Sequence, residues 1–140
     1  MTFRIRNAAA ADVPAMHRVR NAVRENRLSA GAGITEASYL PYISAGSAWV
    51  AEGPDGLVGF AAIDRAAETV WALFVSPQIE GAGIGRALHD TMLEWARDQG
   101  IRRISLTTEP GSRAVYFYLR AGWTQAEGPV EGEVTFERSF

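Results

Sequence analysis

Strict alternation of apolar and polar residues marks both ends of the chain. Phe3 and Ile5 alternate with Arg4 and Arg6 at the start, and residues 133–140 repeat the same two-residue pattern. A period of two is typical of a strand with one face on the core and the other in water. The first segment is therefore predicted to be a strand, and the last a half-exposed antiparallel strand.

Helical spacing of apolar residues marks four further segments. In the first, Met16, Val19 and Val23 recur at i, i+3 and i+7 behind Asp12, a good N-cap residue. In the longest, the apolar residues fall on one helix face and the charged residues lie off it. The predicted helices extend from Asp12 to residues 25–28, from Thr35 to Ile43, from Gly83 to Gln99, and from Ser112 to Gly122.

The middle of the chain is predicted to contribute four strands. Residues 48–51 and 57–63 are apolar and flank the hairpin signal Asp55-Gly56. Residues 70–75 are apolar on both alternating faces, which predicts a central strand covered on both sides. With a strand at residues 103–107, the predicted order is β-α-α-β-β-β-α-β-α-β, and a further short strand at residues 123–127 is left open.

Composition narrows the classes of function. With 140 residues, 47% of them hydrophobic and 21% charged, the chain is expected to form one soluble domain over residues 1–140. A net charge of -2 without a basic run argues against nucleic acid. The absence of Cys excludes disulfides, thiolate zinc sites and thiol nucleophiles.

Metal sites and membranes are not expected either. His17 and His89 lie far apart, and neither has a His at metal-ligand spacing, so no metal is predicted. Residues 1–6 run into a polar, Ala-rich segment without an apolar signal region, and no stretch approaches the length that spans a membrane. A cytoplasmic protein without a membrane partner is the expectation.

Glycines at 81, 83 and 85 lie between a predicted buried strand and the long helix, and predict an anion site. The first amides of a helix have no intrahelical acceptor and carry the positive end of the helix dipole, and Arg86 adds a cation. A tight turn without a ligand is the alternative. The dinucleotide pattern GxGxxG fails because Arg86 or Leu88 occupies its last position, and no Gly-Lys-Ser/Thr of a P-loop follows. A different pyrophosphate-bearing ligand is required.

Two segments resemble motifs of the GNAT superfamily of N-acyltransferases. Residues 73–88, LFVSPQIEGAGIGRAL, resemble its cofactor motif Gln/Arg-x-x-Gly-x-Gly/Ala at Gly83 and Gly85. Residues 111–123, GSRAVYFYLRAGW, resemble its second motif Asn-x-x-Ala-x-x-x-Tyr-x-x-x-Gly-Phe/Trp. Glu80 and Gly111 depart from these motifs, since the family usually has Gln or Arg and Asn there. The resemblance implies an α/β (α+β) fold whose central mixed, mostly antiparallel sheet has a splayed parallel strand pair and about four flanking helices.

The resemblance also implies a function, an acetyl-CoA-dependent N-acetyltransferase that acts on a primary amine of a small molecule or peptide. The acetyl group would pass by direct attack in a ternary complex, without a covalent enzyme intermediate. A non-catalytic acyl-CoA-binding sensor or regulatory module is the alternative. A homodimer formed through the final strands is a further expectation from the family.

Specific residues follow from the matched motifs. Tyr118 corresponds to the general acid that hydrogen-bonds the departing CoA sulfur, although it shares a helix face with Phe117 and could be only a core aromatic. The base that deprotonates the amine is left open among Glu25, Glu52, Glu68 and Glu109. The acceptor-binding candidates are Glu25, Asn26, Trp71 and Glu109. The candidate cofactor-binding residues are Leu73, Phe74, Val75, Gly81, Ala82, Gly83, Ile84, Gly85, Arg86, Ala114 and Phe117.

Overall fold

The computed structural model describes residues 2–24, 33–79, 82–127 and 132–140. Its strands are β1 (Arg4–Asn7), β2 (Ala48–Gly53), β3 (Gly56–Asp64), β4 (Thr69–Val75), β5 (Arg103–Thr108), β6 (Thr124–Ala126) and β7 (Val134–Ser139). Its α-helices are α1 (Val13–Arg24), α2 (Leu40–Ser44), α3 (Ile84–Asp98) and α4 (Arg113–Arg120), with short 3-10 turns at Ala10–Asp12, Glu36–Tyr39 and Pro77–Ile79.

The element order agrees with the order predicted from the sequence. The one addition is β6, in the segment that the sequence left open. Gly100 and Gly122 follow α3 and α4 with φ of 83° and 93°, the left-handed conformation that ends many helices. Asp12 directly precedes α1, but its carboxylate accepts the N–H of Ala9 and pairs with Arg6. The end predicted for the first helix, at residues 25–28, lies outside the described residues.

All strands lie in one sheet of order β1-β2-β3-β4-β5-β7-β6. Neighbouring strands are antiparallel except β4 and β5, which are parallel. The β2–β3 hairpin forms where it was expected, although its turn residues are Pro54 and Asp55 and Gly56 begins β3. The mixed sheet with one parallel pair is the fold that the sequence predicted.

Two hydrophobic clusters cover the two faces of the sheet. One joins the sheet to α3 and α4 through residues such as Leu88 and Met92. The other joins it to α1 through Met16 and Val19, with Tyr39 fully buried beside them. Among the described residues, no helix is both long and apolar enough to cross a bilayer.

Strand β4 lies at the centre of the sheet and its side chains pack into the clusters on both faces, as predicted, but this cover is incomplete. Only Ala72 is buried, and the other residues of β4 are half-buried. The reason is that β4 and β5 diverge: a single residue pair, Thr69 with Ser105, is in register between them. The apolar run therefore forms the wall of an opening in the sheet.

Candidate active site

The divergence of β4 and β5 opens a cleft of about 590 Å³. Residues 70–74 of β4, 106–108 of β5 and 111–114 at the start of α4 line it, together with Ala22 and Val23 of α1. Among the described lining residues, the titratable side chains are Arg113 and Tyr118. The cleft is therefore poor in side chains that could exchange protons with a ligand.

A β-bulge in β4 determines which side chains face each side of the sheet. The register with β3 pairs Ala62 with Ala72 but Ile63 with Val70, so Trp71 is an extra residue in β4. Such a bulge changes the direction of a side chain. Trp71 and Ala72 consequently both pack in the cluster on the α1 side.

Two predicted cofactor residues line the cleft from opposite faces of β4. Leu73 packs with the α3 and α4 cluster, and Phe74 packs with the α1 cluster. Val75, which ends the strand, packs on the same side as Leu73. Beyond Thr69 the edge of β4 is not paired with β5, although both strands are fully described. Backbone N–H and C=O groups along that edge can bind a ligand.

The start of α3 presents backbone amides at the end of this strand. Gly83 precedes the helix with φ of 81°, a conformation that glycine adopts without the steric cost of a Cβ. The N–H of Ala87 donates to the carbonyl of Gly83 at 3.0 Å. The preceding amides, those of Ile84, Gly85 and Arg86, therefore have no acceptor within the helix. Amides in this arrangement can hold an anion.

The residues around this turn differ in which of their atoms a ligand can contact. Ile84 is 1% exposed, so only its backbone can contact a ligand. A Cβ added at Gly85 would lie 3.4 Å from Cγ2 of Val75 and 3.7 Å from Cε1 of Phe117. Both are ordinary van der Waals distances, so position 85 is in contact with β4 and α4 but has room for a Cβ. Phe117 therefore packs against the start of α3 and is not among the residues that line the cleft.

Arg86 is oriented by a polar network that the sequence analysis missed. Its Nε donates to Oδ1 of Asp90 at 3.0 Å, one helical turn further on. The same oxygen accepts the ring proton of His89 at 2.8 Å. His89 is 1% exposed, and its burial lowers the pKa of the imidazole. Glu80, which departs from the family motif, lies outside the described residues.

Tyr118 of α4 lines the cleft and is also part of the core. It is 6% exposed, and its ring centre lies 5.2 Å from that of Phe117 and 5.3 Å from that of Trp123. Burial raises the pKa of the Tyr118 phenol above its usual value of about 10. The hydroxyl therefore stays protonated at neutral pH and can donate a hydrogen bond to a group in the cleft.

Comparison with known proteins identifies the family. The sequence profile of the Acetyltransferase (GNAT) family matches residues 16–123. The chain belongs to this family. The amino-acid acetyltransferase of Mycobacterium tuberculosis is 32% identical over 139 residues, which cover 93% of this chain and 74% of that protein.

Solved structures confirm the GNAT fold. The paiA N-acetyltransferase from Thermoplasma acidophilum, in complex with coenzyme A, matches all of both chains with a TM-score of 0.82 at 16% identity. N-acetylglutamate synthase from Neisseria gonorrhoeae, in complex with coenzyme A and N-acetyl-glutamate, matches 99% of this chain with a TM-score of 0.80 at 19% identity. The match covers 35% of that longer chain.

The remaining predicted residues of this GNAT domain lie in different surroundings. Trp71 and Ala114 line the cleft, and Ala82 is exposed beside the start of α3. Glu109 is exposed between β5 and α4, next to the lining residue Thr108. Glu25, Asn26 and Gly81 lie outside the described residues.

Two of the four candidate bases lie away from the cleft. The carboxylate of Glu52 pairs with Arg4 and Arg6 of β1, at the edge of the sheet, with distances of 3.0 and 3.5 Å. Glu68 is exposed in the turn before β4, with φ of 55°. No cluster of three or more potential metal ligands occurs in the described part of the chain.

A buried cation that the sequence analysis missed lies beside the cleft wall. Arg20 of α1 is 7% exposed, and its Nε and Nη1 are buried without a hydrogen-bond partner. Its guanidinium carbon is 5.0 Å from the ring centre of Trp71 and 4.9 Å from that of Phe74. Each cation–π contact contributes about 0.5–2 kcal/mol, whereas burying an ion costs several kcal/mol. The two rings therefore offset the burial of this charge only in part.

The sequence did contain a signal for Arg20. Arg20 lies four residues after Met16 and three before Val23, within the apolar stripe of the first predicted helix. A residue at that spacing faces the same side of a helix as its neighbours in the stripe. A charged residue on an apolar face indicates a buried charge, which in turn indicates a site.

Proposed function

We propose that this GNAT domain transfers an acetyl group from acetyl-CoA to the primary amine of a small molecule or peptide, by direct attack in a ternary complex. One arrangement carries the proposal: the cleft between β4 and β5 has the free amides of α3 near the end of one wall and the buried Tyr118 within the other. The positions proposed for the pyrophosphate, the pantetheine arm and the departing sulfur rest on this arrangement and on the family.

The pyrophosphate of acetyl-CoA fits the start of α3. The amides of Ile84, Gly85 and Arg86 lack helical acceptors, and the helix dipole adds positive potential. Arg86 is exposed, and its pairing with Asp90 through Nε leaves the outer guanidinium nitrogens for phosphate oxygens. Ala82 and Gly83 are exposed at the same turn and present no large side chain to the ligand.

The pantetheine arm fits between the diverging strands. Its amides can pair with the backbone of residues 73–75, on the edge of β4 that is not paired with β5. A main-chain N–H of the same edge can then receive the thioester carbonyl oxygen as negative charge develops on it. A fixed donor of this kind stabilises a transition state by about 3 kcal/mol.

Tyr118 is assigned to the departing sulfur. A phenol of pKa about 10 is a weaker acid than a thiol of pKa about 8.5, so full proton transfer to the thiolate is uphill by about 2 kcal/mol. Burial raises the pKa of Tyr118 further and increases this cost. The hydroxyl therefore stabilises the thiolate by a hydrogen bond rather than by giving up its proton.

Binding and turnover together test the proposal. Isothermal titration calorimetry with acetyl-CoA measures the cofactor site, and release of CoA over a panel of primary amines measures catalysis. Binding with CoA release for at least one amine is the expected result. Binding without release for any amine would favour a non-catalytic acyl-CoA sensor, and no binding would reject a CoA site.

Gly83 offers a sharp variant with a matched control. Gly83 and Gly100 have φ of 81° and 83°, both have open space around the position of a Cβ, and they flank opposite ends of α3. Gly83→Ala and Gly100→Ala should therefore lose similar folding stability, about 1–2 kcal/mol each. Only Gly83→Ala should weaken acetyl-CoA binding. If the two variants bound acetyl-CoA with equal affinity, the pyrophosphate would not bind at this turn.

A further inference from the structure

We infer that Arg20 binds a carboxylate of the acceptor, so that the substrate is an amine that also carries a carboxylate group. This inference rests on the proposed acetyl transfer and adds the substrate class to it. The observation behind it is the pair of Arg20 nitrogens, Nε and Nη1, that are buried without a partner.

The chain itself supplies little to balance this charge. No ion pair joins Arg20 to a carboxylate in the described parts of the chain, and its contacts are instead to the rings of Trp71 and Phe74. Burial raises the pKa of the nearby Tyr39 phenol, whereas the positive charge of Arg20 and a hydrogen bond between the two side chains act in the opposite direction. The hydroxyl of Tyr39 also bonds to Nδ1 of His17 at 2.8 Å. Among the described residues, the direct contacts of Arg20 are thus neutral and aromatic groups, and none of them balances its charge.

Arg20 does not itself line the cleft but lies directly behind two residues that do. Trp71 and Phe74 both line the cleft, and both face α1 rather than α3. The bulge at Trp71 is the reason that its ring faces this way. The α3 amides assigned to the cofactor lie across the sheet, so a ligand group that reaches Arg20 belongs to the acceptor.

The guanidinium of Arg20 favours a carboxylate as its ligand. A guanidinium is planar, always charged, and presents paired N–H donors that match the two oxygens of a carboxylate. Val23 and Ala22, which follow Arg20 on α1, also line the cleft and are apolar. A small amine with a carboxylate at a fixed distance from its nitrogen would be oriented by Arg20 with its amine free to attack.

Matched acceptors separate recognition of a carboxylate from a merely structural role of Arg20. We expect kcat/KM for CoA release, calculated per unprotonated amine because a carboxamide lowers the pKa of the neighbouring amine, to be at least about tenfold higher with α-amino acids than with their α-carboxamides, as for loss of one charge-assisted contact. Arg20→Gln should abolish this preference by lowering kcat/KM for the amino acids while leaving that for the carboxamides within about threefold. Arg18→Gln, at an exposed position of the same helix, is the control and should preserve the preference.

The outcomes against the inference are equally distinct. Equal losses for both members of each pair in Arg20→Gln, or a wild-type preference for carboxamides when kcat/KM is calculated per unprotonated amine, would make Arg20 a structural link between α1 and β4. Should Arg20→Gln fail to fold, Arg20→Lys retains the charge without the planar fork, and it should keep only part of the preference. An unchanged preference in Arg20→Lys would then count against carboxylate pairing.

A binding measurement distinguishes failure of this inference from failure of the proposed catalysis. Calorimetric titration of the CoA-bound protein with an α-amino acid and with its carboxamide needs no turnover. Preferential binding of the amino acid, lost in Arg20→Gln, would support the carboxylate site even if no amine released CoA. Turnover of amines without any such preference would support the catalysis and overturn the inference.

Discussion

The indole N–H of Trp123 donates a hydrogen bond of 2.9 Å to Nε2 of His89. Because Nε2 accepts, the ring proton of His89 lies on Nδ1, where it is donated to Asp90. The network therefore extends from Arg86 at the start of α3 to Trp123, whose ring packs edge-on against Tyr118. A single buried imidazole thus connects the two motifs that the sequence identified separately.

This bond predicts a pH-dependent stability. Burial lowers the pKa of His89 below its ordinary value of about 6.5, so the unfolded chain binds a proton that the folded chain does not. The free energy of unfolding should fall as the pH drops below about 6.5, by at most about 1.4 kcal/mol per pH unit from this group. Urea unfolding at pH 7.5 and 5.5 measures it. His89→Gln removes this contribution and keeps the other titrations, so parallel losses in both proteins would contradict the prediction.

Gly59 predicts a second effect on stability, because α3 lies directly over it. A Cβ at this position would lie 2.9 Å from the carbonyl oxygen of Phe74 and 3.0 Å from Cδ1 of Leu88. The Phe74 oxygen belongs to the neighbouring strand, so it cannot move without shifting β4. We expect Gly59→Ala to destabilise the protein by about 1–3 kcal/mol in chemical denaturation.

Gly85→Ala provides the comparison for Gly59. Its added Cβ would meet no atom closer than 3.4 Å, and alanine favours a helix by up to about 1 kcal/mol. Its free energy of unfolding should be unchanged or raised. If both alanine variants had the same stability, the close packing of α3 on β3 would not be what requires glycine at position 59.

The fold could be predicted because its signals are local. The stripe that includes Leu88 and Met92 faces the sheet, and glycines at 100 and 122 end two helices with left-handed φ. The exposure of β4 could not be predicted in this way, because an apolar run does not distinguish a strand covered by protein from one that lines a cleft. That difference depends on the divergence of β5, which pairs with β4 only at Ser105.

The candidate site could be predicted from the sequence only where a family motif indicated its residues. The glycine turn and Tyr118 lie within motifs, and both are at or beside the cleft. The bond between His89 and Trp123 joins residues 34 positions apart, so no local pattern indicates it. Arg20 was visible as a charge in an apolar stripe, but its neighbours Trp71 and Phe74 come together with it only through the bulge in β4.

Tyr118→Phe tests the assigned role of the hydroxyl. If it stabilises the departing thiolate, its loss removes a hydrogen bond to a charged group, worth about 1.5–3 kcal/mol. Turnover should then fall by roughly 10- to 150-fold, with little change in acetyl-CoA affinity. Steady-state kinetics and calorimetry measure the two effects. Tyr116→Phe, on the same helix and 61% exposed, is the control. Unchanged turnover in Tyr118→Phe would leave Tyr118 as a core aromatic.

The pH dependence of turnover should reflect the pKa of the acceptor amine rather than that of a group on the protein. Among the lining residues that the structure describes, Arg113 is permanently charged and Tyr118 has a raised pKa, so neither can serve as a base near neutral pH. We therefore predict that the amine attacks as the fraction that is already unprotonated.

Two accepted amines of different basicity decide this point. With a peptide N-terminal amine of pKa about 8 and a lysine side-chain amine of pKa about 10.4, kcat/KM should rise with pH up to each amine's own pKa. The inflection should therefore move by about two pH units between the two acceptors. An inflection at the same pH for both would instead reveal a base on the protein, and Glu25→Gln and Glu109→Gln would then identify which carboxylate supplies it.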